Sequence, residues 1–119
     1  MAHGRGDVVW SSDPFRDGSR GRPWLVVGTD DAPFGDEQII CLALTSKRWH
    51  EESVTIGPDG WKRGDAPVES SVMPWSVAVV DRADIEYVVG EVTDSIVRRS
   101  VDQLVTYVGG DDDTPVDEM

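Results

Sequence analysis

Two polar residues stand at the ends of apolar segments, and their side chains suit the chemistry of a phosphate. Arg22 lies just before the apolar residues 24–27, and Thr45 ends the apolar run 39–44. A guanidinium presents a fixed fork of N–H donors that matches phosphate oxygens, and a hydroxyl adds one further donor. If the two side chains share a cleft, they could stabilise negative charge on a phosphodiester. Alternatively, Arg22 pairs with a carboxylate such as Asp17, and Thr45 is an ordinary strand-end residue.

A proton acceptor for such chemistry would have to come from elsewhere in the chain. A guanidinium stays protonated in proteins, so Arg22 could stabilise charge or deliver a proton but is a poor general base. His50 lies five residues beyond Thr45, and histidine titrates near neutral pH without help. His50 is therefore a candidate general acid or base, or else a plain surface residue of a loop. The other histidine, His3, lies near the amino terminus.

Two clusters combine cations with tryptophan. Lys47-Arg48-Trp49 follows the run that ends at Thr45, and Trp61-Lys62-Arg63 follows a Gly-Pro-Asp-Gly turn. Cations and aromatic rings that alternate in loops are typical of grooves for single-stranded nucleic acid, because phosphates meet the charges and bases stack on the rings. With Arg20, these residues are our candidates for nucleic-acid binding. Alternatively, Trp61 covers the core of a hairpin.

The sequence lacks the ligands of a familiar metal site. One cysteine and two histidines cannot form a zinc site at any usual spacing, and no glycine-rich phosphate loop follows a predicted strand. The aspartates near the C-terminus lack the Gly and Glu placement of a calcium loop. Cys41 falls inside an apolar run and is expected to be a small buried core residue. We therefore predict no metal site and no cofactor.

Apolar segments between short turn-forming segments predict a mainly β protein with one C-terminal α-helix, folded as a small barrel. Pro23 keeps its predecessor extended, so Arg22 should project from the edge of the sheet. Residues 57–60 are expected to close a hairpin, and Pro74 and residues 81–84 to break later strands. The predicted strands are Asp7–Ser12, Trp24–Gly28, Gln38–Thr45, Val54–Ile56, Ser70–Met73, Ser76–Val80 and Ile85–Val92.

A single helix is predicted from Asp94 to about Val108. Thr93 can cap its first amides, and Gly109-Gly110 ends it. Its apolar residues recur at helical spacing and form one face, which is expected to pack on the barrel or, alternatively, to bind a partner. These residues are Ile96, Val97, Val101, Leu104, Val105 and Val108.

The length and charge of the chain limit what it can be. Its 119 residues suffice for one domain, which we assign to residues 1–110, and the acidic segment 111–119 has too little apolar surface to fold alone. The formal net charge is −12, of which −2 falls on residues 1–63 and −10 on residues 64–119. Halophiles use such an excess of carboxylates, so we expect the protein to work in a salt-rich cytoplasm. An anionic ligand is expected to bind residues 1–63, because that half of the chain is less negative. No apolar stretch is long enough for a secretory signal or a membrane span, which favours a cytoplasmic protein.

Four short motifs follow one another along the chain: Arg5–Trp10, Asp13-Pro14, Gly21-Arg22-Pro23 and Leu44-Thr45-Ser46. In their order and spacing, over residues 5–109, the chain resembles the MazF/PemK toxins of type II toxin-antitoxin systems. The resemblance implies an SH3-like barrel of the CcdB/MazF type, and an endoribonuclease that cleaves single-stranded RNA without a metal ion to give 2′,3′-cyclic phosphate and 5′-hydroxyl ends. Arg22 and Thr45 would be its catalytic pair, and the candidate nucleic-acid-binding residues would bind RNA. It also implies a homodimer and a cognate antitoxin protein.

Two other functions are compatible with the same barrel. The first is a module that binds RNA or a protein without cleaving RNA; the family usually has a Glu-Gln pair where this chain has Asp17-Gly18-Ser19-Arg20. The second is a gyrase inhibitor similar to CcdB. Relatives of CcdB carry Trp-Gly-Ile at the C-terminus, whereas this sequence ends in Val116-Asp117-Glu118-Met119, which counts against that function.

Overall fold

The computed structural model describes residues 3–12, 21–46, 52–64 and 69–109, which form a curved antiparallel sheet and one helix. The predicted fold class, mainly β with a C-terminal helix, is confirmed. The first, third, fourth and last predicted strands and the helix have the bounds that the sequence indicated. The elements are β1 (Asp7–Ser12), β2 (Gly21–Val26), β3 (Gln38–Thr45), β4 (Val54–Ile56), β5 (Trp61–Gly64), β6 (Ser70–Asp81), β7 (Ile85–Val92) and α1 (Asp94–Val108).

The sheet has the order β4-β6-β3-β2-β1-β7-β5, so β4 and β5 stand at its two ends although only residues 57–60 separate them in sequence. In a flat sheet these end strands would lie about 29 Å apart, whereas a four-residue connection spans only about 14 Å. The sheet must therefore curl into a nearly closed barrel. The expected hairpin across residues 57–60 is wrong, because β4 pairs with β6 and β5 pairs with β7.

The inner strands β2 and β3 contribute buried side chains to both faces of the sheet, which explains their continuous apolar runs. On one face, side chains such as Leu25 and Leu42 pack in a core that includes Ile96 and Val97 of α1. On the other face, a second core contains Val9, Trp24, Val26, Ile39, Cys41, Ala43 and Val80. Successive residues of a strand point to opposite faces, so each of β2 and β3 contributes to both cores.

Three features of the sheet differ from the prediction. β2 begins at Gly21 and ends at Val26, whereas Trp24–Gly28 was predicted, because its first three residues pair with β1 although they lie before the apolar run. β6 continues through Pro74, where we expected a break; its pairing with β3 jumps from Val77 opposite Leu42 to Met73 opposite Ala43, which leaves residues 74–76 outside the ladder. Proline has no N–H to donate to a ladder and is tolerated at such an irregularity. The strand β5 was missed because it has only four residues, of which three are exposed, so it shows no apolar alternation.

The helix begins and ends as predicted. The Oγ1 of Thr93 accepts a hydrogen bond from the backbone N–H of Ile96 at 3.4 Å, and Gly109 adopts a left-handed conformation with φ 78° at the C-cap. The first four residues of the predicted apolar face pack against the first core. Val105 and Val108 are exposed instead, at 41% and 70%, so the packing prediction is wrong for the last turn.

The predicted acidic segment 111–119 lies outside the described residues, so its prediction stays untested. None of the helices in the described ranges is long and apolar enough to cross a lipid bilayer.

Candidate functional site

Arg22 and Thr45 come together where β2 begins and β3 ends. β2 pairs with β3 through Trp24 opposite Ala43, and continuing this register by two residues places Arg22 opposite Thr45. The Nη2 of Arg22 donates a hydrogen bond to the carbonyl oxygen of Leu44 at 2.9 Å. The guanidinium is thus held against the peptide group that leads into Thr45. Both side chains are half-buried, so they lie at a boundary between the core and solvent.

An aromatic ring fixes the guanidinium from a second direction. The Cζ of Arg22 lies 5.8 Å from the centroid of the Trp24 ring, within the range of a cation–π interaction. Trp24 is fully buried and cannot move easily. A guanidinium held by a carbonyl and by a ring is pre-organised, so less side-chain entropy is lost when it binds an anion.

A glycine before Arg22 makes room for another aromatic pair. A Cβ atom on Gly21 would lie 2.2 Å from the Nε1 of Trp10, so the indole occupies the space that any other residue would need. Trp10 stacks on Tyr87 of β7, with ring centroids 5.8 Å apart and planes 6° from parallel. The start of β2, which carries Arg22, is therefore packed closely against the indole of β1.

Arg22 and Thr45 belong to a line of polar residues that crosses five adjacent strands, which we name the polar row. Ser11 of β1 is opposite Arg22, and Ser71 of β6 is opposite both Thr45 and Thr55 of β4. Residues directly opposite in an antiparallel pair point to the same face of the sheet. The polar row therefore consists of Ser11, Arg22, Thr45, Ser71 and Thr55, in that order across the sheet.

The polar row marks the place where the second core gives way to solvent. The next row inward on the same face is apolar and consists of Val9, Trp24, Ala43 and Met73. Within the polar row, Ser11 and Ser71 are buried and Thr55 is exposed. The Oγ of Ser11 donates to the carbonyl of Asp84 at 3.1 Å, and the Oγ of Ser71 donates to the Oγ1 of Thr55 at 3.3 Å. The buried hydroxyls are thus satisfied within the protein, as buried polar groups must be.

Several candidate residues fall outside the part of the chain that the structure describes. They are Arg20, Lys47, Arg48, Trp49 and His50. Their roles as RNA-binding residues, and that of His50 as an acid or base, stay predictions.

The cluster Trp61-Lys62-Arg63 does not join Arg22 and Thr45. These residues belong to β5, where Trp61 packs against the first core. Arg63 is opposite Glu91 near the end of β7, whereas the polar row meets β7 at Ile85, six residues or about 20 Å away along the strand. Arg63 donates from Nε to Oε1 of Glu91 at 3.0 Å, and the Nζ of Lys62 lies 3.3 Å from Oδ1 of Asp94 and 3.7 Å from Oε2 of Glu91. The charges of this cluster are compensated within the protein.

His3 lies far from Arg22. It lines a cavity of about 450 Å³ beside Val26 and Gly28, which are about 13 Å and about 20 Å from Arg22 along the extended chain. Arg82, which also lines this cavity, donates from Nε to the carbonyl of Gly35 at 2.7 Å and from Nη1 to the carbonyl of His3 at 3.1 Å. Arg82 thus links the amino-terminal segment to the loop before β3 by hydrogen bonds. His3 is out of reach as a proton acceptor for chemistry at Arg22.

Cys41 is a core residue, as predicted from its apolar run. Burial raises the pKa of its thiol from 9.0 to about 12, and the nearby charge of Arg82 acts weakly in the opposite direction. A thiol with this pKa stays protonated near neutral pH and is a poor nucleophile. Among the described residues, no three His, Cys, Asp or Glu side chains gather in a metal-binding arrangement.

Three members of the polar row, Ser11, Ser71 and Thr55, were not singled out in the sequence. Each is a small polar residue next to apolar residues of its strand, which is a weaker signal than the position of Arg22 and Thr45 at the ends of apolar segments. The missing information was the register, because opposite positions on β6 and β4 cannot be read from spacing along one chain.

Comparison with protein families gives one match over most of the chain. A model described as the PemK-like, MazF-like toxin of type II toxin-antitoxin systems matches residues 4–107. Comparison with curated protein sequences finds no match.

Solved structures with a similar fold cover nearly the whole chain. An endoribonuclease in complex with its cognate antitoxin from a mycobacterial species has a TM-score of 0.72 and 22% identity, covering 91% of this chain and 96% of that chain. A chain of a MazE-MazF crystal structure from Deinococcus radiodurans has a TM-score of 0.68 and 19% identity, with coverages of 92% and 97%. The Mycobacterium tuberculosis toxin MazF-mt6 has a TM-score of 0.66 and 10% identity, with coverages of 87% and 96%. At these identities the similarity shows the fold alone.

Proposed function

The chain belongs to the family of PemK-like, MazF-like toxins of type II toxin-antitoxin systems, and we propose that it is an endoribonuclease that cleaves single-stranded RNA without a metal ion. The observation that carries the proposal is the placement of Arg22, which is bonded to the carbonyl of Leu44 and opposite Thr45 at the solvent boundary of the sheet. Similar structures that are endoribonucleases support the same activity.

In the proposed reaction the 2′-oxygen of a ribose attacks the adjacent phosphorus. The bond from the 2′-oxygen to phosphorus forms, the bond from phosphorus to the 5′-oxygen of the next nucleotide breaks, and the products carry a 2′,3′-cyclic phosphate and a 5′-hydroxyl. Negative charge builds on the non-bridging oxygens, where the N–H donors of Arg22 and the hydroxyl of Thr45 stabilise it. One proton leaves the 2′-hydroxyl and one is delivered to the 5′-oxygen. We keep His50 as the candidate for one of these transfers, with Arg22 able to deliver the other.

The test is cleavage of a long RNA in the presence of EDTA and KCl, with the new 5′ ends mapped. We expect cuts that resist EDTA and leave 5′-hydroxyl ends, and we expect them to vanish in Arg22→Ala and fall strongly in Thr45→Val. Arg98→Ala is the matched control, because Arg98 is exposed on α1, which packs on the face of the sheet opposite to the polar row. RNA that stays intact but bound would favour the non-cleaving module instead. Cuts that EDTA abolishes would contradict the proposed mechanism.

We further propose that the protein is a homodimer. An exposed apolar surface supports this, since patches of this kind on soluble proteins mark interaction sites. We name it the β6–α1 patch; Trp75 touches Tyr107 edge-on at 6.2 Å and so joins its two elements. The patch consists of Trp75, Val77, Val79, Tyr107 and Val108, which are 39% to 70% exposed.

A cognate antitoxin is the second proposed partner, in line with the antitoxin complexes of similar structures. Because residues 64–119 carry a net charge of −10, an acidic antitoxin segment would be repelled from this half of the chain, so we propose that docking is chiefly apolar. Affinity that rises or stays constant with increasing salt would agree with apolar docking. Affinity that falls steeply with salt would contradict it.

We also propose that the protein works in a salt-rich cytoplasm, since its carboxylates outnumber its cations by 23 to 11. The midpoint of urea unfolding, measured from low to molar KCl, should rise markedly with salt. Equal stability without molar salt would contradict the proposal.

A further inference from the structure

Thr55 carries an exposed hydroxyl at one end of the polar row. Its Oγ1 accepts a hydrogen bond from the Oγ of Ser71 at 3.3 Å, and within the described ranges its own O–H has no acceptor. The Thr55 side chain is exposed, whereas Ser71 is 1% exposed. Because a threonine hydroxyl can both donate and accept, the exposed Thr55 hydroxyl can bond a ligand on its outer side while it stays bonded to Ser71.

The position of Thr55 is fixed by the same strand pairing that defines the catalytic pair. Ser71 is opposite Thr45 on one side and opposite Thr55 on the other, so the three residues follow one line perpendicular to the strands. Neighbouring strands lie about 4.8 Å apart, which places Thr55 about 10 Å from Thr45 and about 14 Å from Arg22. A strand of RNA that lies along the polar row would meet Thr55 beyond the scissile phosphate.

We propose that Thr55, positioned by Ser71, binds the sugar–phosphate backbone of the RNA one to two nucleotides from the cleaved bond, so that the substrate crosses β3, β6 and β4 at right angles. This inference rests on the proposed function. It assigns two roles within the polar row: Arg22 and Thr45 act at the reacting phosphate, and Thr55 binds a neighbouring nucleotide. Ser71 is a positioning residue, because it is buried and reaches the substrate only through Thr55.

The alternative is that Thr55 has only a structural role, as an exposed residue of an edge strand with good β propensity. The two explanations predict different effects of substrate length on the binding defect of a Thr55 variant. A structural threonine affects all substrates alike, whereas a binding threonine affects only those that reach it. The hydroxyl is also uncharged, so its loss should lower affinity without changing the salt dependence, which reports the number of phosphates neutralised by cations.

The experiment uses RNA oligonucleotides that span a mapped cleavage site and are shortened stepwise from either end. Cleavage gives KM and kcat, and oligonucleotides with a 2′-deoxyribose at the scissile position give Kd without cleavage. For full-length substrate we expect Thr55→Val to raise KM and Kd about fivefold with kcat nearly unchanged, which is the loss of one hydrogen bond. Shortening from one end should abolish the difference from wild type. Thr55→Ser should restore binding, and Ser71→Ala should give a smaller defect of the same kind.

Thr29→Val is the matched control, since Thr29 is an exposed threonine three residues beyond the far end of β2, and its replacement should leave KM unchanged. Wild-type KM and Kd for Thr55→Val at every substrate length would overturn the inference, as would a defect that is equal at all lengths. Because the deoxy-substituted oligonucleotides measure binding alone, a chain that binds RNA without cleaving it refutes the proposed nuclease but still tests the role of Thr55.

Discussion

Replacement of Arg22 separates its part in the reaction from its part in the fold. Arg22→Ala removes a charged hydrogen bond to the carbonyl of Leu44, worth about 2 kcal/mol, and a cation–π contact with Trp24, worth about 0.5–1 kcal/mol. We expect a stability loss of about 2–3 kcal/mol, small enough to leave a folded protein at low temperature. Loss of one pre-organised donor to the transition state costs a further ~3 kcal/mol in barrier, so kcat should fall at least about a hundredfold.

The assay measures kcat on a short RNA at a temperature where urea unfolding shows more than nine-tenths of each variant folded. Arg22→Lys keeps the charge but loses the planar fork, so we expect its kcat to stay at least tenfold below wild type. The double variant Arg22→Ala with Thr45→Val should lose less than the sum of the two single barriers, because both side chains act on one phosphate. A wild-type kcat for Arg22→Lys would refute bidentate stabilisation. An activity loss for Arg22→Ala that merely follows its unfolded fraction would show that Arg22 is structural.

Three further predictions concern packing, titration and assembly. Gly21→Ala should destabilise the protein by about 1–3 kcal/mol and change the tryptophan fluorescence, because the new Cβ would displace the indole of Trp10; an unaltered spectrum and stability would contradict this packing. Between pH 9 and 12 the Cys41 thiol stays protonated when folded but ionises when unfolded, so stability should fall as pH rises, by about 1 kcal/mol more at pH 10 than in Cys41→Ala; parallel urea midpoints for the two proteins would disprove it. Val79→Asp should convert a dimer to a monomer in light scattering, and an unchanged mass would exclude the β6–α1 patch as the dimer interface.

Much of the secondary structure could be predicted because local signals agree with the tertiary structure. The helix from Asp94 to Val108 combines a Thr cap, a terminal glycine and an apolar face, and these signals come from neighbouring residues. β5 gave no such signal, since its identity as a strand depends on pairing with β7 and on the close approach of Gly64 to Gly90. The continuity of β6 through Pro74 was also a tertiary property, because it depends on pairing with β3 on both sides of residues 74–76, which stay outside the ladder.

Some residues of the candidate site could be predicted from the sequence, and others required the strand order. Arg22 and Thr45 could be identified because each is a polar residue at the end of an apolar run, and because the order of motifs resembles a known family. Ser71 and Thr55 are also polar residues next to apolar ones, but their relation to Thr45 appears only when β6 is known to lie between β3 and β4. The sequence therefore supplied the chemical groups, and the strand order supplied their alignment.

The four-residue link between β4 and β5 has a consequence for the solubility of the protein. Residues 57–60 tether the first and last strands of the sheet, and the turn is held under the helix by the hydrogen bond from the Thr93 N–H to the Gly60 carbonyl at 2.9 Å. A single proteolytic nick there would free two strand edges at once, each with unsatisfied N–H and C=O groups that can recruit other molecules. Cleavage at this one connection should therefore lead to aggregation, whereas the intact chain keeps both edges close together.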